Sequence, residues 1–353
     1  MALAAALTLT ACSPSGAAPS AATAPPLIAE TADPPPITET TAPPQPQAAL
    51  NAGPTLPPTP EPFVYQFRPH VLSQEYRQLY GAEVERAFYD YCDAVLAGEE
   101  TFPCPDGETL RRCVSLSRSC LPIADALLER DRCRVEGGTA HLTYRVSREE
   151  VRELATRFRE KVTAVITAAV PYREPDWVQA AELLTAVARK DTYDDTATLD
   201  DMLRVTPYRA IMEDIGICQE LAGEYIYYLL QVGIDAFPVS ALNRDGSDAH
   251  EWAMAALGGA YYHIDPTYSV SYPDSLYFFG MNDRQREYYG DFPPESFTYA
   301  DSDALGQAEY AADSRRFEPL WLAESYILDH RKGVLTVTQI RDGGTASYRF
   351  EEL

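Results

Sequence analysis

Three residues, Cys218, His250 and Asp265, are of the types that make a nucleophilic site. A cysteine thiolate attacks carbonyl carbon, an imidazole takes and returns the proton, and a carboxylate holds the imidazole in the required tautomer. Each residue type also occurs in ordinary protein interiors in a purely structural role. The hypothesis therefore depends on whether the predicted elements bring the three side chains together.

Cys218 is predicted to begin a helix. The residues after it form an apolar face at helical spacing through Leu221, Tyr225 and Leu229, and Gly233 ends the run. At a helix N-terminus the unpaired backbone N–H groups and the dipole favour a thiolate, which lowers a thiol pKa that is otherwise about 8.5. The alternative is a thiol packed beneath the helix, which is the commoner role of a single cysteine.

A β-hairpin is predicted to carry the other two residues. Its strands run over 250–257 and 260–265, and a two-residue Gly-Gly turn joins them. If this pairing continues along the strands, His250 lies opposite Thr267 and Asp265 lies diagonally beside it on the same face. The spacing therefore predicts a carboxylate next to an imidazole.

The order and spacing of these residues resemble the transglutaminase-like superfamily. Three segments look like that family's motifs, namely Gly216-Ile217-Cys218, His250-Glu251-Trp252 and Tyr262-His263-Ile264-Asp265-Pro266-Thr267. The resemblance covers about 147–290. It implies an α+β fold with a papain- or transglutaminase-like core, in which a helix carrying the Cys packs on an antiparallel sheet carrying the His and Asp.

The resemblance also implies acyl transfer from peptide or amide bonds through a Cys-His-Asp triad. Hydrolysis is favoured over transamidation, because water is always present and no calcium-binding loop regulates crosslinking. No Walker loop or dinucleotide fingerprint occurs either, so we expect no cofactor and no metal. The alternative is a non-catalytic module on the same fold that binds a peptide or a cell-wall component.

Other residues near the predicted triad raise separate questions. Glu220 and Glu251 stand where members of the family commonly carry a glycine and a small residue. Glu251 should point away from the site, whereas Glu220 would either oppose a thiolate or select a cationic substrate group. Tyr208 is a candidate oxyanion donor beside the Cys218 N–H. His263 shares a strand face with the triad, and we expect a hydrogen-bonded structural role for it.

The N-terminal region predicts export. Leu9-Thr10-Ala11 before Cys12 resembles a bacterial lipobox, which implies that 1–11 is a shortened signal and that Cys12 is lipidated. Residues 12–62 contain 15 of the 28 prolines and no aromatic side chain, so they cannot form a core and are predicted to be a tether. We therefore expect a protein anchored by lipid to the outer face of the bacterial cytoplasmic membrane. The alternative is a chance cysteine before a disordered tail.

Composition excludes two other classes of function. The 353-residue chain has a formal net charge of -24, which repels nucleic acid, and no run of Lys or Arg offsets it. No stretch of about 18 apolar residues occurs, so the lipid is the only membrane contact that we expect. The expected partner is a peptide or protein substrate, including a cell-envelope component, and the expected state is a monomer.

The remaining segments are predicted to be scaffold. A helical, cysteine-containing extension at 63–146 begins with a helix over 74–97, continues through a cysteine-rich loop and short helix to about 130, and ends in a hairpin turning at 137–138. Further elements are predicted as helices from 148 and 176, a strand over 236–242, and a C-terminal antiparallel sheet in 291–353 with strands at 325–328, 334–340 and 345–350. A core thiol is expected at Cys92, and the pairing of the cysteines at 92, 104, 113, 120 and 133 is left open.

Overall fold

Helices predominate in the first part of the described chain, and antiparallel strands predominate over helices in the second part. The structure, a computed structural model, describes residues 60–197, 206–299, 310–340 and 343–353. Cys12 and nearly all of the predicted tether lie outside these residues. The predicted division of the chain into domains remains a prediction.

The α-helices of the described residues are α1 (Gln74–Ala97), α2 (Gly107–Cys120), α3 (Ile123–Leu127), α4 (Arg148–Ala169), α5 (Asp176–Lys190), α6 (Pro207–Glu213), α7 (Cys218–Val232), α8 (Pro266–Val270) and α9 (Asp283–Tyr288). The β-strands are β1 (Thr101–Pro103), β2 (Arg134–Glu136), β3 (Thr139–His141), β4 (Thr192–Tyr193), β5 (Ile215–Gly216), β6 (Ala236–Leu242), β7 (Ala249–Leu257), β8 (Ala260–Ile264), β9 (Thr298–Tyr299), β10 (Ala323–Asp329), β11 (Val334–Gln339) and β12 (Thr345–Arg349). No helix in the described ranges is both long and apolar enough to cross a membrane.

Helix α1 has the predicted bounds because both of its ends are capped. The Ser73 side chain accepts a hydrogen bond from the Tyr76 N–H (3.3 Å), and Gly98 ends the helix in the left-handed region with a φ of 67°. Inside the helix the backbone breaks at Gly81, whose φ is 76°. The local sequence signals were therefore sufficient to predict both ends of this helix.

The cysteine-rich segment is mostly helical, with the two helices α2 and α3 where a loop and one short helix were predicted, so the predicted extent of the loop is wrong. The Asp106 side chain caps α2 by accepting a hydrogen bond from the Thr109 N–H (2.8 Å), and the buried face of α2 includes Cys113 and Cys120. These cysteines occupy helical spacing as small apolar residues. All six cysteines in the described part of the chain are free thiols, and Cys92 is a core residue as predicted.

The hairpin after this segment confirms the predicted glycine turn. Gly137 and Gly138 have φ values of 57° and 79°, as a tight turn between antiparallel strands requires. Its second strand ends at His141, earlier than predicted, because Tyr144 leaves the ladder and forms a bridge with Leu128.

Helix α7, which begins at Cys218, is the central helix of the described fold. It is buried on nearly every side, with Glu220 and Glu224 among the buried residues and paired with Arg209 and Lys190. The Tyr225 hydroxyl donates a hydrogen bond to the Ala180 carbonyl of α5 (2.9 Å), and the opposite side of α7 packs on β6 and β7. The predicted α+β arrangement, with the cysteine helix against an antiparallel sheet, is confirmed.

The central sheet has the strand order β8-β7-β6-β9 and is antiparallel. Leu257 pairs with Ala260, which confirms the predicted register. The ladder stops after Ile264, so the predicted pairing of His250 with Thr267 is wrong. Proline lacks a donor for the ladder and favours the first position of a helix, and Pro266 accordingly begins α8.

The C-terminal sheet contains the three predicted strands, with ends shifted by one or two residues. The strands pair in the order β10-β11-β12 and bury Leu335 and Val337. The Trp177 indole N–H of α5 donates a hydrogen bond to the Phe350 carbonyl (2.9 Å), and the two rings pack edge to face. This contact attaches the sheet to the helical layer.

Candidate active site

The backbone before Cys218 holds the thiol at the first position of α7. Strand β5 pairs in parallel with β4, and Ile217 is extended (φ -93°, ψ 177°) before the helix begins. A Cβ on Gly216 would lie 3.0 Å from the Glu220 Cβ and 3.2 Å from the Ala210 Cβ. Glu220 of α7 and Ala210 of α6 therefore pack closely on this segment, so any side chain at residue 216 would push one of them aside. In this position the Cys218 side chain is buried.

Glu220 is a helix cap and an ion-pair partner. Its Oε2 accepts a hydrogen bond from the Ile217 N–H (3.0 Å), and its Oε1 accepts one from Arg209 Nε (3.0 Å). Arg209 also donates through Nη1 to Asp194 Oδ2 (2.8 Å). The carboxylate is fully buried and engaged by these donors, so the structure does not support the sequence-based alternative in which it selects a cationic substrate group. The positive charge of Arg209 compensates its negative charge beside Cys218.

His250 and Asp265 form a buried hydrogen-bonded pair. The distance from His250 Nε2 to Asp265 Oδ2 is 2.8 Å. The other oxygen, Oδ1, accepts a hydrogen bond from the Tyr268 N–H (3.2 Å), because Asp265 is also the N-cap of α8. One carboxylate thus fixes both the start of a helix and the orientation of the imidazole.

Cys218 is the third member of this cluster. A hydrogen bond and a charge interaction with its side chain are among the causes that raise the pKa of His250. Since His250 Nε2 faces Asp265, Nδ1 is the ring nitrogen that remains for the sulfur. The structure therefore brings the three residues predicted from the sequence into one continuous chain of contacts from the α7 N-terminus to the α8 N-terminus.

The electrostatics of the pair favour an imidazolium beside a carboxylate. Burial alone would lower the pKa of His250, but the charge and hydrogen bond of Asp265, together with Cys218, raise it to about 9. Burial opposes the ionised form of Asp265 as well, and His250 and Arg286 outweigh it, so the pKa of Asp265 is lowered. At neutral pH both groups are charged.

Aromatic rings fix the plane of the imidazole. The His250 ring stacks on Tyr268 with centroids 5.0 Å apart and an interplanar angle of 18°, and on Phe292 at 5.6 Å. Trp252, two positions along the same strand, is also stacked at 5.8 Å. The ring is thus held by packing in addition to its hydrogen bonds.

Arg286 of α9 is a residue of this site that the sequence did not reveal. It is fully buried, and its Nη1 lies 3.4 Å from Asp265 Oδ2. Its guanidinium carbon lies 4.2 Å from the Trp252 ring centroid, 4.9 Å from that of Phe292 and 5.2 Å from that of Tyr268. Its short helix has the sequence Asp-Arg-Gln-Arg-Glu-Tyr, which resembles a solvated surface turn and gives no signal of burial.

His263 has the structural role expected from the sequence. Its Nδ1 accepts a hydrogen bond from the Trp252 indole N–H (2.8 Å), and its Nε2 therefore donates to Asp283 Oδ1 (2.8 Å). Burial lowers the pKa of His263, so the ring is neutral, as its acceptor role requires. This residue orients Trp252, whose ring contacts Arg286.

Tyr208 packs against α4 and is not part of the chain of contacts that joins Cys218, His250 and Asp265. It lies on α6 with its ring 6.0 Å from that of Phe158, and it is half-buried. No contact supports an oxyanion role for Tyr208 among the described residues, and that role remains a prediction. Within the same residues, no cluster of three or more His, Cys, Asp or Glu side chains could hold a metal ion.

Comparisons with known proteins give no family assignment. No family model matches the sequence, and no curated protein matches it. Solved structures align with part of the chain, among them the following two. One, described as a proposed cysteine protease from Cytophaga hutchinsonii, is 16% identical with a TM-score of 0.26, and the alignment covers 31% of this chain and 37% of that one. The other, described as a TGase, is 14% identical with a TM-score of 0.28 and coverage of 36% and 40%.

This chain therefore aligns with less than half the length of either neighbour. The chemistry of the site rests on its own geometry.

Proposed function

We propose that the protein is a cysteine-dependent acyl-transfer enzyme acting on peptide or amide carbonyls. Cys218 is the nucleophile, His250 the general base and acid, and Asp265 the residue that orients and charges the imidazole. The observation that carries the proposal is the position of His250, whose ring contacts the Cys218 thiol and, through Nε2, the Asp265 carboxylate at 2.8 Å.

The first half-reaction forms a thioester. Because its pKa is raised to about 9, His250 is a strong enough base to take the proton of the thiol, and the thiolate so formed attacks the substrate carbonyl carbon. The C–S bond forms, and the tetrahedral intermediate collapses as the C–N bond breaks. The imidazolium supplies the proton that the departing amine requires. Fixed in its plane by Tyr268 and Phe292, the ring needs no rotation to do so.

The second half-reaction returns the enzyme to its starting state. His250, now neutral, takes a proton from water as the water oxygen attacks the thioester carbonyl, and the C–S bond breaks to release a carboxylic acid and the thiolate. An amine in place of water would give transamidation. Hydrolysis is the proposed outcome because water is abundant and no calcium-binding loop that could regulate crosslinking occurs in the sequence.

The alternative is a binding module that uses the same cleft without catalysis. The burial of the thiol favours this alternative, since only 3% of the Cys218 surface and 7% of the His250 surface are exposed. A substrate can reach the sulfur only if neighbouring side chains move. The two functions differ in whether Cys218 becomes acylated.

An activated ester tests the proposal without knowledge of the natural substrate. We expect p-nitrophenyl acetate to release nitrophenol in a rapid burst and to leave an acetyl group on Cys218, identified by mass spectrometry of the digested protein. Cys218→Ala and His250→Ala should each abolish the burst, and the double variant should be no worse than either single variant, because members of one catalytic unit are strongly non-additive. Acetylation of Cys218 at an equal rate in His250→Ala would contradict the proposal.

A further inference from the structure

Arg286 occupies an environment that is costly for a cation. It is fully buried, and within the described part of the chain none of its three side-chain nitrogens forms a well-aligned hydrogen bond, its ion-pair partner Asp265 lying at 3.4 Å. A buried charged group without hydrogen bonds destabilises a fold, and an apolar side chain of similar size often stabilises it instead. Folding alone therefore does not account for an arginine here.

The surroundings of Arg286 compensate its charge in two ways. Three aromatic faces, those of Trp252, Tyr268 and Phe292, enclose the guanidinium at 4.2 to 5.2 Å. The Asp265 carboxylate, at 3.4 Å, supplies the negative charge. Trp252 is itself held by its hydrogen bond to His263. We call the three rings the Arg286 cage.

We propose that Arg286 is a positioning residue for the reaction of Cys218, His250 and Asp265, and that its caged positive charge keeps Asp265 ionised and balances the negative charge of the thiolate. This inference rests on the proposed function. With Arg286 present, the thiolate, imidazolium, carboxylate and guanidinium sum to zero charge in a buried site. Without it the same site carries one net negative charge, which burial strongly disfavours.

The titratable groups that interact with the Arg286 charge are Asp248 before β7, His263 of β8, and Asp265 and Tyr268 around the start of α8. His250 and Asp283 are hydrogen-bonded to two of these, Asp265 and His263. Burial raises the pKa of Tyr268 to about 12, so this phenol is neutral. His263 is neutral and bonded to Asp283, and Asp248 is only half-buried, with its pKa raised by burial. Among the three carboxylates named here, Asp265 is therefore the one that is fully buried and depends most on the charge of Arg286.

The direction of the effect of removing Arg286 follows from its charge. Loss of the cation raises the pKa of Asp265, which it contacts, and a less strongly ionised Asp265 stabilises the His250 imidazolium and the Cys218 thiolate less. When the rate of Cys218 alkylation is plotted against pH, the rate rises at low pH as the thiolate forms, and we call this rise the low-pH limb. A neutral replacement of Arg286 should therefore move the low-pH limb to higher pH. A residue with a merely structural role would change stability and leave that limb unchanged.

The experiment compares Arg286→Met, Arg286→Gln and Arg286→Lys in the full chain. The readouts are the rate of alkylation of Cys218 by iodoacetamide against pH and the free energy of unfolding in urea. Arg244→Met is the matched control, because Arg244 is an exposed arginine. It pairs with Glu287, which lies on the same helix as Arg286, and with Asp291 (3.2 Å).

We expect the neutral variants to move the limb upward by about one pH unit or more, while Arg286→Met unfolds at the same urea concentration as wild type or a higher one. Arg286→Lys, which keeps the charge, should retain the wild-type limb to within about 0.3 pH unit. Arg244→Met should change neither readout.

Two results would overturn the inference. The first is a folded neutral Arg286 variant whose low-pH limb lies at the same pH as that of Arg244→Met. The second is an Arg286→Lys variant whose low-pH limb moves as far as that of the neutral variants. If Arg286→Met does not fold, Arg286→Gln decides. Failure of the proposed function would give a different result, because the rate of Cys218 alkylation would then be the same in wild type and in His250→Ala.

Discussion

His250 and Asp265 are joined by a 2.8 Å contact between Nε2 and Oδ2 at the point where a strand gives way to a helix. Asp265 is the last residue before α8, and its other oxygen caps that helix through the Tyr268 N–H. The cap fixes the carboxylate, and the carboxylate fixes the imidazole. A change at Asp265 can therefore alter its charge and its capping ability separately.

Asp265→Asn tests the charge alone. Asparagine is as good an N-cap as aspartate, so the free energy of unfolding should change by only a few tenths of a kcal/mol through capping. The charge that raises the pKa of His250 is lost, and burial then lowers it, so the imidazolium is depleted at neutral pH. We expect acylation of Cys218 to fall by about 10³-fold, measured with p-nitrophenyl acetate. A folded Asp265→Asn variant within about tenfold of the wild-type rate would show that the charge is not needed.

The His250–Asp265 pair should make stability depend on pH in a defined window. The folded-state pKa of His250 is raised from its ordinary value of 6.5 to about 9. A raised pKa contributes stability that is fully present below the unfolded value and is lost as pH rises through the folded value. The comparison is made in a Cys218→Ala background, because a proton passed from the thiol to the imidazole would leave the proton count of the pair unchanged on folding. In that background we expect the difference in unfolding free energy between the parent and His250→Gln to be largest near pH 6 and to shrink towards pH 9. Urea denaturation at intervals between these pH values checks this, and a difference that grows with pH is the contrary result.

Gly223 sets the distance between the cysteine helix and α6. A Cβ added at Gly223 would lie 2.3 Å from the Pro207 Cγ. Gly→Ala inside a helix is ordinarily stabilising by about 0.5–1 kcal/mol, but here the overlap should destabilise by about 1–3 kcal/mol. Gly107→Ala is the control, since Gly107 also lies in a helix and an added Cβ there meets nothing within 4 Å. If the two substitutions change the urea midpoint equally, α6 can move away from the added Cβ at Gly223 without measurable cost, which would contradict this prediction.

The lipid anchor is a separate proposal, made from the sequence around Cys12. We expect mature protein in the native host to begin at a lipidated Cys12 and to partition with membranes, and Cys12→Ser to release it into the soluble fraction. Mass spectrometry of the N-terminal peptide measures this directly. An unmodified N-terminus at any other residue would rule the anchor out.

The parts of the site predicted from sequence are those with strong local signals. The Gly-Gly turn set the register of β7 and β8, and the pattern after Cys218 set the start and end of α7. The same reasoning extended the ladder too far, because it gave no weight to Pro266 at the strand end. It placed Asp265 within the paired strand, whereas Asp265 lies just beyond β8 as the N-cap of α8 and contacts His250 directly through Oδ2.

The parts that sequence could not predict depend on contacts between distant segments. Arg286 lies on a short polar helix, and only the packing of α9 against β7 and α8 makes it a buried neighbour of Asp265. From the sequence, the negative charge of Glu220 was expected to oppose a thiolate at Cys218. Its partner Arg209, which compensates that charge, lies on another helix. Spacing along one element carries no information about such pairs.

The rate of alkylation of Cys218 against pH, in wild type and in His250→Ala, tests the central claim most directly. Peptide mapping after a short exposure to iodoacetamide separates Cys218 from the other cysteines. We predict that the wild-type thiol reacts at pH 6 about 10²-fold faster than in His250→Ala, whose thiolate should form only near the ordinary thiol pKa of about 8.5. If both proteins show the same limb at or above that pKa, Cys218 and His250 do not form the ion pair and the protein is not a cysteine-dependent acyl-transfer enzyme.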